Sequence, residues 1–94
     1  MNAGPTFAVA WTATSRRDLV TLPEKIATAA VEFTYGSLAE GSRRVGTPLQ
    51  LGLAGLCSAR RGDYRVIYRI DDDLRTITVM VIEHRSDVYR PRQL

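Results

Sequence analysis

Apolar and polar positions alternate at the start of the chain. In "TFAVAWTA" (6–13), Phe7, Val9 and Trp11 take every second place against smaller residues, the period of a β-strand. The period then changes. Ser15, with Asp18 three residues on, makes a capping-box pattern that opens a short helix, "SRRDLVTL", which Pro23 stops. The same proline suits the first turn of a second helix, with Thr21 and Glu24 as its caps. There Ile26, Ala30 and Phe33 keep the spacing of one buried face, and Gly36 is placed to terminate it. Residues 41–56 hold Gly41, three further glycines and a proline with no steady period, which predicts a loop; loops of that length are often functional. Three strands follow, at about 56–61, 63–71 and 75–83. Gly62-Asp63 forms the tight turn between the first two, and Asp71-Asp72-Asp73 lies in the second turn. "TITVMVI" is apolar at nearly every residue, as expected of a central strand covered on both faces. The tail "HRSDVYRPRQL" has room for one short helical turn before Pro91.

Composition narrows the class. A chain of 94 residues is expected to form one domain, 1–94. Hydrophobic residues make up 45% and charged ones 24%, ordinary values for a folded globular protein. No apolar run approaches membrane-spanning length, and the N-terminus lacks the layout of a signal peptide, so no membrane association is expected. Cys57 is the only cysteine, which excludes an internal disulfide and a cysteine-based metal cluster and fits a reducing cytoplasm. The net charge of +3 comes from twelve arginines and one lysine, Lys25, against ten acids. Eight of those arginines fall between Arg60 and Arg92. A guanidinium offers a planar fork of donors that matches a phosphate. A genome rich in G and C would also favour arginine over lysine, so position has to decide.

The hairpin "ARRGDYRVIYRI" (59–70) supplies the position. With Gly62 and Asp63 as its two loop residues, Arg61 lies opposite Tyr64 and Arg60 opposite Arg65. Tyr64, Val66, Tyr68 and Ile70 then share one face with Arg61, Ala59 and Cys57. The other face carries Arg65, Ile67 and Arg69 against Arg60, Ser58 and Leu56. Like charges directly opposed in a sheet destabilise the pair, so an anion is the natural partner for Arg60 and Arg65. The plainer readings are that both splay into water or pair with Glu83 or Asp87, and a one-residue slip in the turn would undo the geometry.

The tail adds His84, Arg85 and Tyr89 just past the last strand. His84 is the single histidine, a residue type suited to moving protons near neutral pH. A histidine at a strand end is more often simply a surface group, and a tyrosine there more often packs the tail down. Asp18, Glu24, Glu32 and Glu40 fall at helix positions and read as caps or solvated faces. No two carboxylates have the spacing of a glycosidase pair or a metal site.

"LAGLCSARRGDYRVIYRIDDD", a hydrophobic strand and then "HRSDVYR" together resemble the RelE/ParE superfamily of bacterial toxin–antitoxin toxins. The resemblance is closest to the RelE branch of ribosome-associated mRNA endonucleases, and it extends to the N-terminal strand and the helix ending "DLVTLP". It implies an α+β, microbial-RNase-like fold: two N-terminal helices packed on a twisted, mostly antiparallel four-stranded sheet, with a short C-terminal helical turn. It implies a cytoplasmic toxin that cleaves mRNA in the ribosomal A site, with no metal or other cofactor. The RNA's own 2′-hydroxyl attacks the neighbouring phosphate, giving a cyclic phosphate and a free 5′-hydroxyl. A RelB-like antitoxin would be the neutralising partner.

By matching position, Arg65 would hold the scissile phosphate, and Arg85 would stabilise the transition state or the leaving oxygen. Tyr89 would stack on a base or take part in proton transfer. Arg60 matches a basic residue in the strand before the turn, and with Arg61 and Arg69 it is expected to bind RNA. Fixed guanidinium donors stabilise charge as it develops on the phosphoryl oxygens, so the set is chemically coherent. Two lysines common in relatives fall here at Leu56 and Ser58, and another is replaced by His84. His84 is therefore the candidate general base. The competing functions are a ParE-like toxin that inhibits DNA gyrase by binding it, and a non-catalytic RNA-binding member of the fold.

Overall fold

A computed structural model describes residues 6–49 and 55–84. They form β1 (Ala8–Trp11), α1 (Ala13–Thr21), α2 (Glu24–Phe33), a π-helical turn (Thr34–Leu38), α3 (Ser42–Val45), β2 (Thr47–Pro48), β3 (Leu56–Arg61), β4 (Tyr64–Asp71) and β5 (Thr76–His84). One five-stranded sheet has the order β1-β5-β4-β3-β2. β1 runs parallel to β5, and every other neighbour is antiparallel. The four expected strands are present, and β2 adds a fifth from inside the segment expected to be loop.

The helical hairpin covers one face of the sheet. Leu22, Ala30, Phe33 and Leu38 pack there against Ala59, Val66, Tyr68, Ile77, Val79 and Ile82. The Tyr64 ring meets Phe33 edge-on at 6.4 Å, and its hydroxyl donates to the Ala29 carbonyl. Burial raises the pKa of that phenol.

Three local features differ from the sequence expectation. α1 opens earlier, because Thr12 rather than Ser15 is its cap: the Thr12 hydroxyl accepts the Ser15 N–H at 3.0 Å. Asp18 is then free of any capping duty and takes the Ile82 N–H at 2.9 Å, satisfying β5 just past the end of β1. Pro23 is itself the N-cap of α2, and the Thr21 hydroxyl bonds back to Asp18. Gly36 does not end α2, since its φ is not positive and the helical path continues as the π turn. That turn brings the fully buried Leu38 into the core.

Part of the segment after Gly41, residues 42–49, is built into the fold as α3 and β2. Tyr68 is wholly buried, and its hydroxyl donates to the Ser42 carbonyl at the start of α3. A side chain at Gly46 would collide with the same hydroxyl, so only glycine fits there. Arg43 forks onto Asp72 with contacts of 2.9 and 2.7 Å, pinning α3 to the β4–β5 turn. Residues 50–54 and the tail from Arg85, including its expected helical turn, lie outside the described residues.

β5 carries the feature that matters most for the site. Ile67 pairs with Val81 but Tyr68 pairs with Val79, so Met80 is an extra residue in the ladder. The Thr12 hydroxyl donates to the Met80 carbonyl at 2.9 Å, tying the bulge to the start of α1. Burial follows the shift: Ile77 and Val79 are in the core two apart, and the next core residue, Ile82, is three further on. The strand is therefore not fully covered on both faces; Thr78, Met80 and Val81 are half-buried.

Candidate nucleic-acid interface

Gly62 opens the β3–β4 turn with φ +58, while Asp63 has an ordinary φ, the arrangement in which glycine leads a two-residue hairpin loop. This turn fixes the register, and the register is the expected one. Arg60 pairs with Arg65, Arg61 with Tyr64, Ala59 with Val66 and Cys57 with Tyr68. The core face holds Tyr64, Val66 and Tyr68, all buried. Cys57 faces Tyr68 in this core, and burial raises the pKa of both groups.

Arg60 and Arg65 therefore stand side by side on the face that the helices leave open. They floor a cleft of about 430 Å³ together with Ser58, and Val45, Thr47, Pro48 and Leu49 form its wall. β2 builds that wall by pairing Thr47 with Ser58. Arg60 makes no ion pair among the described residues. Arg65 has one, to Glu83 on β5, at 3.6 Å between Nη1 and Oε1. Arg69 shares the open face, exposed, and lies four residues from Arg65, about 13 Å along the strand.

Two expected residues lie elsewhere. Arg61 is on the helix side, its guanidinium 4.9 Å from the centre of the Phe33 ring. His84 pairs with Tyr64, so its Cβ also points to the helix side, and Glu83 takes the place opposite Arg65. The physical reason is the Met80 bulge: one inserted residue sends every later side chain to the other face. Without it Ile82 and His84 would share the arginine face. Arg85 and Tyr89 lie outside the described residues. Among the described residues, no cluster of three or more His, Cys, Asp or Glu side chains is placed to hold a metal ion, and no helix is long and apolar enough to cross a membrane.

Sequence reasoning named Glu83 only as a neutraliser and missed the cleft wall. A sequence signal for Glu83 would have been a break in the alternation after Val79, but Val81 and Ile82 are both apolar and fit a regular strand as well as a bulged one. β2 left no signal either, since two residues have no period.

Residues 9–89 match the model of the ParE toxin of the type II toxin–antitoxin system, parDE. The chain belongs to this toxin family. Within it, the similarity is to RelE-type members. Toxin RelG of Mycobacterium tuberculosis is 50% identical over 84 residues, covering 89% of this chain and 97% of the relative. Toxin RelE of the same organism is 54% identical over 84 residues, 89% of this chain and 87% of the relative. The crystal structure of the RelBE2 toxin–antitoxin complex from M. tuberculosis contains a chain superposing with a TM-score of 0.83 at 48% identity, over 86% of this chain and 100% of that one. The α+β fold expected from the sequence is thus that of RelE-type toxins, with β2 as an added edge strand.

Proposed function

We propose that this chain is a ribosome-dependent mRNA endoribonuclease, the toxin of a type II pair held inactive by a RelB-like antitoxin. The observation that carries this reading is the directly opposed Arg60–Arg65 pair on an open sheet face, with one loosely held carboxylate beside it among the described residues. Two guanidiniums at that separation repel, and a polynucleotide phosphate relieves the repulsion. Arg65 holds the scissile phosphate and stabilises charge on its oxygens as the 2′-hydroxyl attacks. Arg60 contacts the same or the adjacent phosphate, and Arg69 meets the strand further along. Arg85 and Tyr89 keep the roles that kinship gives them, at the leaving oxygen and on a splayed base. Arg61 and His84 drop out of the site because their strands turn them to the helix side.

The partner assignment is supported by the similarity to the toxin chain of the RelBE2 complex. A ribosomal target sets the place of action in the cytoplasm. The second reading, a gyrase-binding ParE-like toxin, has its own support in the family model that matches. Primer extension on message from cells induced for this chain separates the two. The nuclease leaves new 5′ ends within codons and halts translation. A gyrase poison leaves message intact and gives DNA damage and filamentation, and a passive RNA binder gives neither new ends nor DNA damage.

A further inference from the structure

Among the described residues, two arginine–carboxylate pairs differ in closeness. Arg43 and Asp72 close to 2.7 Å in a two-pronged fork, as such a pair does when nothing else competes for it. Arg65 and Glu83 stay at 3.6 Å, beyond hydrogen-bond reach, although their Cα positions are directly paired. Their side chains are 40% and 33% exposed, so the contact adds little to folding. Glu83 is nevertheless held on the arginine face by two independent restraints, the Thr12 bond to the Met80 bulge and the Asp18 bond to the Ile82 N–H. A carboxylate carried on so firmly held a backbone yet paired so loosely is available to another hydrogen-bond partner.

The charge count points the same way. Arg60 and Arg65 against Glu83 leave one net positive charge, which one phosphodiester neutralises. A phosphate on the Arg65 fork would lie against the Glu83 carboxylate, with the attacking sugar hydroxyl beside it. Asp71 shares the open face but stands at the far end of β4, about 20 Å away.

We infer that Glu83 is the proton acceptor for the attacking 2′-hydroxyl; this rests on the nuclease reading above. The Glu83 carboxylate takes the hydroxyl proton as O2′ bonds to phosphorus. The bond from phosphorus to O5′ breaks, and O5′ takes a proton from water. The products are a 2′,3′-cyclic phosphate and a 5′-hydroxyl, and Glu83 returns its proton to solvent. Arg65 then has two tasks, holding the phosphate and keeping the neighbouring carboxylate beside it.

The test uses wild type, Glu83→Gln and Glu83→Ala on ribosomes carrying message, with single-turnover cleavage read by primer extension. Binding is read in parallel with message bearing a 2′-deoxy nucleotide at the cleavage site. Glu83→Gln should cleave about 10²–10⁴-fold more slowly while binding at least as tightly, because a base is lost and a negative charge with it. Added formate should restore part of the cleavage by Glu83→Ala, which a purely structural role does not allow. Wild-type cleavage matched by Glu83→Gln would overturn the inference and leave the nuclease reading standing. Slow cleavage by both variants with a lowered melting temperature and no response to formate would overturn it as well. No cleavage by wild type would remove the nuclease reading and this inference together.

Discussion

Arg60 and Arg61 are neighbours on one strand, yet they belong to different parts of the protein. Arg61 faces the helices, lies over the Phe33 ring and sits opposite the buried Tyr64. Arg60 faces open solvent opposite a second arginine. The pleat alone separates them. On the helix side a cation serves packing, spreading its flat face on an aromatic ring. On the open side the same group sits where folding gains little from it, and on the proposed reading a phosphate ligand supplies the reason. The contrast holds along the sheet's three middle strands: Ala59, Val66 and Ile82 are buried on one side, and Ser58, Arg65 and Glu83 form the other.

The two sides should respond oppositely to mutation. The largest stability loss belongs to the helix side. Ile82→Ala removes a side chain only 2% exposed and should lower stability by about 2–5 kcal/mol in chemical denaturation. Arg61→Ala should cost far less, about 0.5–1 kcal/mol, the worth of an exposed cation–π contact, and should leave message cleavage unchanged. A cleavage defect in that variant would erase the distinction between the two arginines.

The smallest effect concerns the exposed Arg43–Asp72 fork. Its hydrogen bond from Arg43 holds the Asp72 carboxyl below its ordinary value. A carboxylate with a depressed folded pKa stabilises above its unfolded value of about 3.9 and loses that contribution as pH falls through the folded one. Asp72→Asn should therefore show a slight stability deficit at neutral pH that fades below about pH 4. A deficit that persists in acid would mean the fork acts by packing.

Much of this was legible in the sequence. Gly62-Asp63 fixed the hairpin register by turn chemistry, and from it every pairing between β3 and β4 followed. The strand and helix order came from periodicity. The failures have physical causes. Asp18 looked like a cap because capping patterns are local, whereas its real partner, the Ile82 N–H, is 64 residues away. His84 was singled out because it is the one histidine and stands where relatives carry a lysine, and that choice could not foresee the Met80 bulge, which turns its Cβ to the helix side. β2 was unreadable because it exists only through pairing with β3. Local chemistry shows in the chain; a shift imposed by a distant contact does not.

The central claim is that the open arginine face binds the scissile phosphate and contributes little to folding. Arg65→Ala tests it most directly, with melting temperature and single-turnover cleavage of ribosome-bound message measured on the same preparation. The expected result is a fall in cleavage of about 10²–10³-fold with an unchanged melting temperature. A clear drop in melting temperature, or cleavage at the wild-type rate, would contradict it.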